Sequence, residues 1–222
     1  MELMTGINQN YPSKNNLNMK KIIFLVVIFI GFTSCQNETK ESKNNKKTNK
    51  EVSKPSFDKK AYEIKGKKIA IETFKLFKGK IEEIGKTNGL DEAVNFCHNN
   101  AQTLTDSIGK ANNVSMRRAS HKLRNSKNKP NIDQLAVINN YLEQQETHKD
   151  LIPMVMKDDK GFVHFYAPIK LKKKCLQCHG KPIEQINEKI LKIIKTNYPD
   201  DKATGFREGE LRGIWDIKFL QK

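Results

Sequence analysis

The 222-residue sequence predicts an α+β domain, and three observations carry that prediction. Apolar residues recur every three or four positions from residue 61 to about residue 108, which is a helical period. Beyond residue 150 the pattern changes to short apolar or alternating runs around a charged turn that contains glycine. Helices first and antiparallel strands later are the arrangement of an α+β domain.

The first helix is expected over 61–84, with Ile64, Lys68, Ile71 and Lys75, and likewise Phe74 and Ile81, spaced along one amphipathic face. Asn88-Gly89 breaks it, and Asp91 is placed to cap a second helix. Ala93, Cys97, Ala101, Leu104 and Ile108 form the stripe of that helix, so Cys97 points inward and His98 lies off the face. Residues 111–131 are polar and basic, end near Pro130, and read as a structured loop. Asp133 opens a third amphipathic helix through Leu135, Ile138 and Leu142. The runs 152–156 and 162–169 flank Lys157-Asp158-Asp159-Lys160-Gly161, the signature of a hairpin. A helix around 183–194 and a last strand over 212–220 complete the series, with no internal repeat.

Upstream of the domain, Lys20 and Lys21 precede an apolar run at 22–32, followed by Thr33-Ser34-Cys35. The run is too short to span a bilayer but suits the apolar region of a signal peptide. Small residues before a cysteine resemble a lipobox, so residues 1–34 are expected to be a signal peptide, with Met19 as an alternative start. Cys35 is then the lipidated residue of a bacterial envelope lipoprotein, periplasmic or on the outer-membrane side. An uncleaved anchor or a plain secretory signal are the competing readings. Residues 35–60 hold that cysteine and a tether of Lys, Asn, Glu, Thr and Ser with too little apolar surface to offset ordering. The folded domain is expected over 61–222.

The formal net charge is +16; residues 1–34 carry three lysines and one glutamate, so their removal leaves +14. Such a balance suggests nucleic acid in a cytoplasmic protein. The export signal argues against that partner and for solubility, an anionic membrane surface or an anionic cofactor.

The chain has four cysteines. Cys175-Leu176-Gln177-Cys178-His179 is a C-x-x-C-H motif, in which two thiols add across the vinyl groups of a haem and the adjacent histidine reaches the iron. With four Cys and five His in the chain, chance predicts on the order of 0.002 such motifs. A redox dithiol would need a thioredoxin-like βαβ setting, and a zinc site would need a fourth ligand that no second C-x-x-C supplies. One covalent haem c is therefore expected on Cys175 and Cys178, with His179 as axial ligand. The opposite iron position has eight contenders: Cys97, His98, Met116, His121, His148, Met154, Met156 and His164. A second His or a Met is common in c-type cytochromes, whereas Cys97 has no disulfide partner left to it.

Several stretches together resemble a family. They are 91–97, ending in Phe96-Cys97; Met116-Arg117-Arg118-Ala119-Ser120-His121-Lys122-Leu123-Arg124-Asn125; and Asn128-Lys129-Pro130. Tyr166-Ala167-Pro168-Ile169, the C-x-x-C-H motif with Gly180, the run from Tyr198 to Phe206, and Gly209-Glu210-Leu211-Arg212-Gly213 complete the set. This pattern resembles a bacterial family of single-haem c-type proteins with a PAS-like fold, found alone or ahead of histidine kinases. The resemblance covers 61–222 and implies an antiparallel sheet with helices enclosing the haem. It also implies axial ligation by His179 and Cys97. His121 departs from the pattern, where an apolar residue is expected, and stays a rival ligand. Arg117, Arg124 and Arg212 are plausible partners of the haem propionates, because guanidinium forks pair well with carboxylates.

Two functions follow from that reading. The first is redox or ligand sensing, in which reduction weakens a Cys97–iron bond; with no kinase region after the domain, it needs a separate signalling partner. The second is electron transfer in the envelope, with a basic surface steering an acidic redox partner. Covalent attachment prevents release and so argues against a haem scavenger. No enzyme is expected, since nothing singles out an acid–base residue beside an open iron.

Overall fold

The computed structural model describes residues 57–220. The expected signal segment at 1–34, Cys35 and nearly all of the tether lie outside the described residues.

Helix α1 runs Lys59–Thr87, with Asp58 at its N-cap accepting the Ala61 backbone N–H at 3.0 Å. Helix α2, Leu90–Ala111, follows after Gly89, which stands at φ 96° and is itself the cap residue. Asp91 is therefore not the cap; it sits in the first turn, favourable to the helix dipole, and pairs with Lys189 at 2.7 Å. Strand β1, Val114–Ala119, leads to α3, Ile132–Glu146. Here Asn131 caps through a reciprocal box with Gln134, so the cap lies two residues before Asp133. The expected hairpin is present as β2, Met154–Lys157, and β3, Val163–Lys170, with Gly161 at φ 82° in its turn. A single turn α4, Leu176–His179, then α5, Glu188–Asn197, and β4, Leu211–Phe219, end the described chain. Helix α5 starts later than its apolar run, because Asn187 caps it and Ile183 stands exposed at φ 68°.

The four strands form one antiparallel sheet in the order β1-β4-β3-β2. Met116, Ile217, Phe165 and Val155 lie opposite one another across all four strands. That row packs against Ile69, Ala70 and Phe77 of α1 and Ala101 of α2. On the other face Val137, Ile138 and Tyr141 of α3 cover Ala119, Tyr166, Leu211 and Ile214. The sheet is thus sandwiched, and period-two alternation assigns each strand residue to one helix layer.

Two further expectations are corrected. The buried face of α1 is Gly66, Ile69, Ala70, Thr73 and Phe77, not the Ile64–Ile71 stripe; Ile64 and Ile71 are 62% and 45% exposed. The reason is Gly66, where any Cβ would fall on the Phe165 ring, so the helix seats there by backbone approach and turns the longer stripe outward. Residues 111–131 are not all loop, since β1 lies within them; its two adjacent arginines hid the alternation of Val114 and Met116.

On the α3 face the sheet holds a polar cluster. His164 Nδ1 lies 2.7 Å from Asp216 Oδ1 and its Nε2 lies 3.4 Å from Asp158 Oδ2, while Gln134 donates to Asp216 Oδ2 at 2.7 Å. Burial works against a charged His164, but the hydrogen bond and charge of Asp216, then those of Asp158, outweigh it and raise its pKa. A raised imidazole pKa adds stability that is complete below about pH 6.5 and is lost as pH rises through the native value. The urea midpoint should therefore fall between about pH 6 and about pH 9 more in the wild type than in His164→Asn. Parallel pH profiles for the two would show that the cluster carries no charge at His164.

Candidate functional site

The C-x-x-C-H motif lies where the chain leaves β3. A 3-10 turn at Lys173–Cys175 runs into α4, and the Cys175 thiol accepts the Lys172 backbone N–H at 3.4 Å. Gly180 ends the turn, and a Cβ there would meet the Gln185 side chain and the Leu176 carbonyl. Leu176 and Cys175 pack with Leu171, Ala203 and Phe206, whereas Cys178 packs with Val94 of α2 and Ile186, Ile190 and Ile194 of α5. The two thiols therefore belong to different apolar clusters on either side of one helical turn.

Three separate segments are sewn together around this turn. Arg124 forms a bidentate pair with Asp201, Nε to Oδ1 at 3.1 Å and Nη2 to Oδ2 at 3.0 Å, with both side chains nearly buried. The same Nη2 donates to the Cys178 carbonyl at 2.7 Å and the Ala203 carbonyl at 3.2 Å. Phe206 donates its backbone N–H to His179 O at 3.0 Å, Gly205 to Gly180 O at 2.8 Å, and Lys202 to Leu123 O at 2.7 Å. Gly205 stands at φ 75°, which a side chain would strain.

His179 Nδ1 lies 2.8 Å from the Ala203 carbonyl, a geometry that makes Nδ1 the protonated nitrogen and leaves the Nε2 lone pair available. Burial, then the charges of Arg212 and Arg124, holds His179 well below the usual imidazole range. Both effects favour the neutral imidazole, with Nδ1 committed to the Ala203 carbonyl.

Cys97 lies on the inward stripe of α2, as expected, and is close enough to Cys178, Arg118, Arg124 and Tyr198 to share their electrostatics. Burial pushes its thiol up, against the pull of Arg118 and then Arg124. Cys178 is pushed up to about 11 by burial. Among the other contenders, His121 packs edge-on to Phe206 at 6.0 Å, the ring that His179 also meets edge-on at 6.3 Å. His98 is exposed and meets Tyr198; His148 and Met156 are exposed. Met116 is sealed in the core beneath α1, and Met154 and His164 belong to the α3 side of the sheet.

The arginines divide by strand alternation. Arg117 points away from Cys97 and donates to the Lys127 and Lys129 carbonyls at 3.2 and 2.9 Å. Its neighbour Arg118 points to the α1 and α2 side, stacked 5.2 Å over Phe77 and 5.7 Å over Trp215. Arg212 donates to Ser120 Oγ at 2.6 Å and Lys122 O at 2.9 Å, over the Phe206 ring, with its pKa pushed down to about 9 by burial and by Arg124. Arg212 thus feels the charges of Arg124 and Arg118, and Asp201 is the carboxylate it feels with them. Arg118 Nε, Arg212 Nε, His121 Nδ1 and Trp215 Nε1 are buried without a partner. Arg118, Asp201 and Phe206 were not singled out from the sequence as site residues; the alternation Val114, Met116, Arg118 was the signal for the first. Among the described residues, no three His, Cys, Asp or Glu side chains are grouped to hold a metal ion by themselves.

Breaking the buried Arg124–Asp201 pair from either side should cost about 3–5 kcal/mol, since it strands a buried charge. Urea unfolding of Arg124→Gln, Asp201→Asn and the double variant checks this: the double variant should cost clearly less than the sum. Strict additivity would show that the two groups do not depend on each other.

Comparison with known proteins agrees with the motif set. No curated protein matches the chain. The crystal structure of the cyanobacterial haem protein Tll0287 is 27% identical, over 54% of this chain and 69% of that one, with a TM-score of 0.45. The model of the Tll0287-like family matches residues 27–219, nearly the whole sequence, and the chain belongs to that family.

Proposed function

We propose that this chain carries one haem, bound covalently through Cys175 and Cys178, and uses it for redox or ligand sensing in the bacterial envelope. The observation that carries the haem reading is the pairing of the C-x-x-C-H turn with a surplus of buried guanidinium groups. Asp201 pairs with Arg124 and is the carboxylate that Arg212 feels, while Arg118 and Arg212 each keep an unpartnered buried Nε. Two further negative charges would satisfy that surplus, and the two propionates of a haem supply them. Arg118 and Arg212 are the better propionate partners, because Arg124 already spends its fork on Asp201 and Arg117 turns to the other side of the sheet.

A bound haem supplies an iron that changes oxidation state and exchanges small ligands. In this reading His179 offers Nε2 as one axial ligand, with Ala203 O holding its ring and tautomer. Cys97 offers its sulfur from α2 as the other. Arg118, first among the charges that favour a Cys97 thiolate, offsets part of the cost of burying it. A thiolate favours the ferric state and lowers the potential, so reduction weakens its hold. Release of Cys97 would free α2 to shift against α5, where Asn95 accepts from Asn197 at 3.0 Å. No catalytic residue is part of the proposal. Lipidation at Cys35 and a membrane-anchored location in the envelope belong to the same reading. An electron carrier is the second reading, favoured by the basic charge, +14 once residues 1–34 are removed, which would steer an acidic redox partner.

Absorption and electron paramagnetic resonance spectra of the haem-loaded protein and of Cys97→Ala separate these readings. The wild type should give a low-spin ferric signal of thiolate type, lost in the variant, with a higher midpoint potential there and carbon monoxide binding on reduction. Spectra unchanged by the substitution, with no gas binding, would return Cys97 to packing and favour a carrier with His121 or another ligand opposite His179.

A further inference from the structure

Helix α1 presents a face that the fold leaves uncovered. Its buried residues, Gly66, Ile69, Ala70, Thr73 and Phe77, lie on one side. At 100° per residue the opposite side carries Ile64 and Ile71, flanked by Lys60, Lys67, Lys68, Lys75 and Lys78. All seven are exposed. Two acids share that side: Glu82, held by Lys174 at 3.0 Å and Lys78 at 3.9 Å, and exposed Glu72, one turn from Lys68 and Lys75, so the lysines still outnumber the acids there. Over its whole length α1 has nine lysines against four glutamates. Lys67, Lys68 and Lys75 make no ion pair among the described residues.

We infer that this face of α1 is a docking surface for an anionic lipid bilayer, lying along the headgroups with Ile64 and Ile71 inserted. Isoleucines spaced one heptad apart within a frame of lysines match an interfacial helix: the apolar side chains enter the acyl boundary while the long lysine stems reach back to phosphate. A second copy of the chain is a poor occupant, because lysine would meet lysine along the whole stripe. Two isoleucines bury too little to hold a membrane alone, so the contact requires anionic headgroups and yields to salt. In the sequence, the apolar run at 22–32 and Cys35 precede α1, so an anchor there would keep this face near a bilayer. The contact does not depend on that anchor or on haem. Docked in this way, the domain would lie with its sheet behind α1.

Amine acylation of the full chain, read residue by residue by mass spectrometry, tests the inference on vesicles of phosphatidylcholine with and without phosphatidylglycerol. Labelling of Lys67, Lys68 and Lys75 should fall about tenfold on the anionic vesicles only, and recover at high salt, while exposed Lys149 and Lys192 are unchanged. Cys35→Ser should show the same protection, which separates this contact from lipidation. In Lys68→Glu with Lys75→Glu the protection of Lys67 should disappear, and the wild-type comparison stands by itself if that variant folds poorly. Equal labelling on both vesicle types would overturn the inference. So would protection that grows with protein concentration without vesicles, the mark of a second copy, or protection that only an added acidic protein produces.

Discussion

The Arg124–Asp201 pair is the constraint on which the site depends. Arg124 comes from the segment after β1 and Asp201 from the segment before β4, and between them the guanidinium reaches the Cys178 and Ala203 carbonyls. Ala203 in turn holds the His179 ring. One planar fork with fixed donors therefore sets the position of the C-x-x-C-H turn and the tautomer of its histidine. Lysine, a point charge, could not do both.

Around that constraint the sheet separates two kinds of polar burial. On the α3 side, His164, Asp158, Asp216 and Gln134 satisfy one another, and the result is a closed structural network. On the α1 and α2 side, Arg118, Arg212 and His121 keep polar atoms buried without partners. Unsatisfied buried groups are costly, so a fold keeps them where something else completes them. That contrast is why the haem proposal rests on the α1 and α2 side.

Much of this was legible in the sequence. The α+β order, the hairpin around Gly161, the last strand and the inward position of Cys97 all follow from periodicity and turn chemistry. Three things did not. The α1 face was read from Ile64 and Ile71 because side-chain size dominates a periodicity count, and the small residues Gly66 and Ala70 that seat the helix leave no such trace. Strand β1 was hidden by Arg117 and Arg118, which lie on opposite faces of the sheet and look like one basic cluster in sequence. The role of Asp201 needed tertiary structure, because its partner lies 77 residues away. The motif residues Cys175, Cys178 and His179 were plain because their chemistry depends on local spacing alone.

Covalent haem on Cys175 and Cys178 is tested by the mass and visible spectrum of the denatured chain after expression with c-type maturation. The chain should be heavier by one haem, with the colour staying on the unfolded protein, and the colour should be lost when both cysteines are replaced by alanine. A colourless chain of unmodified mass, or haem that leaves on unfolding, would contradict it.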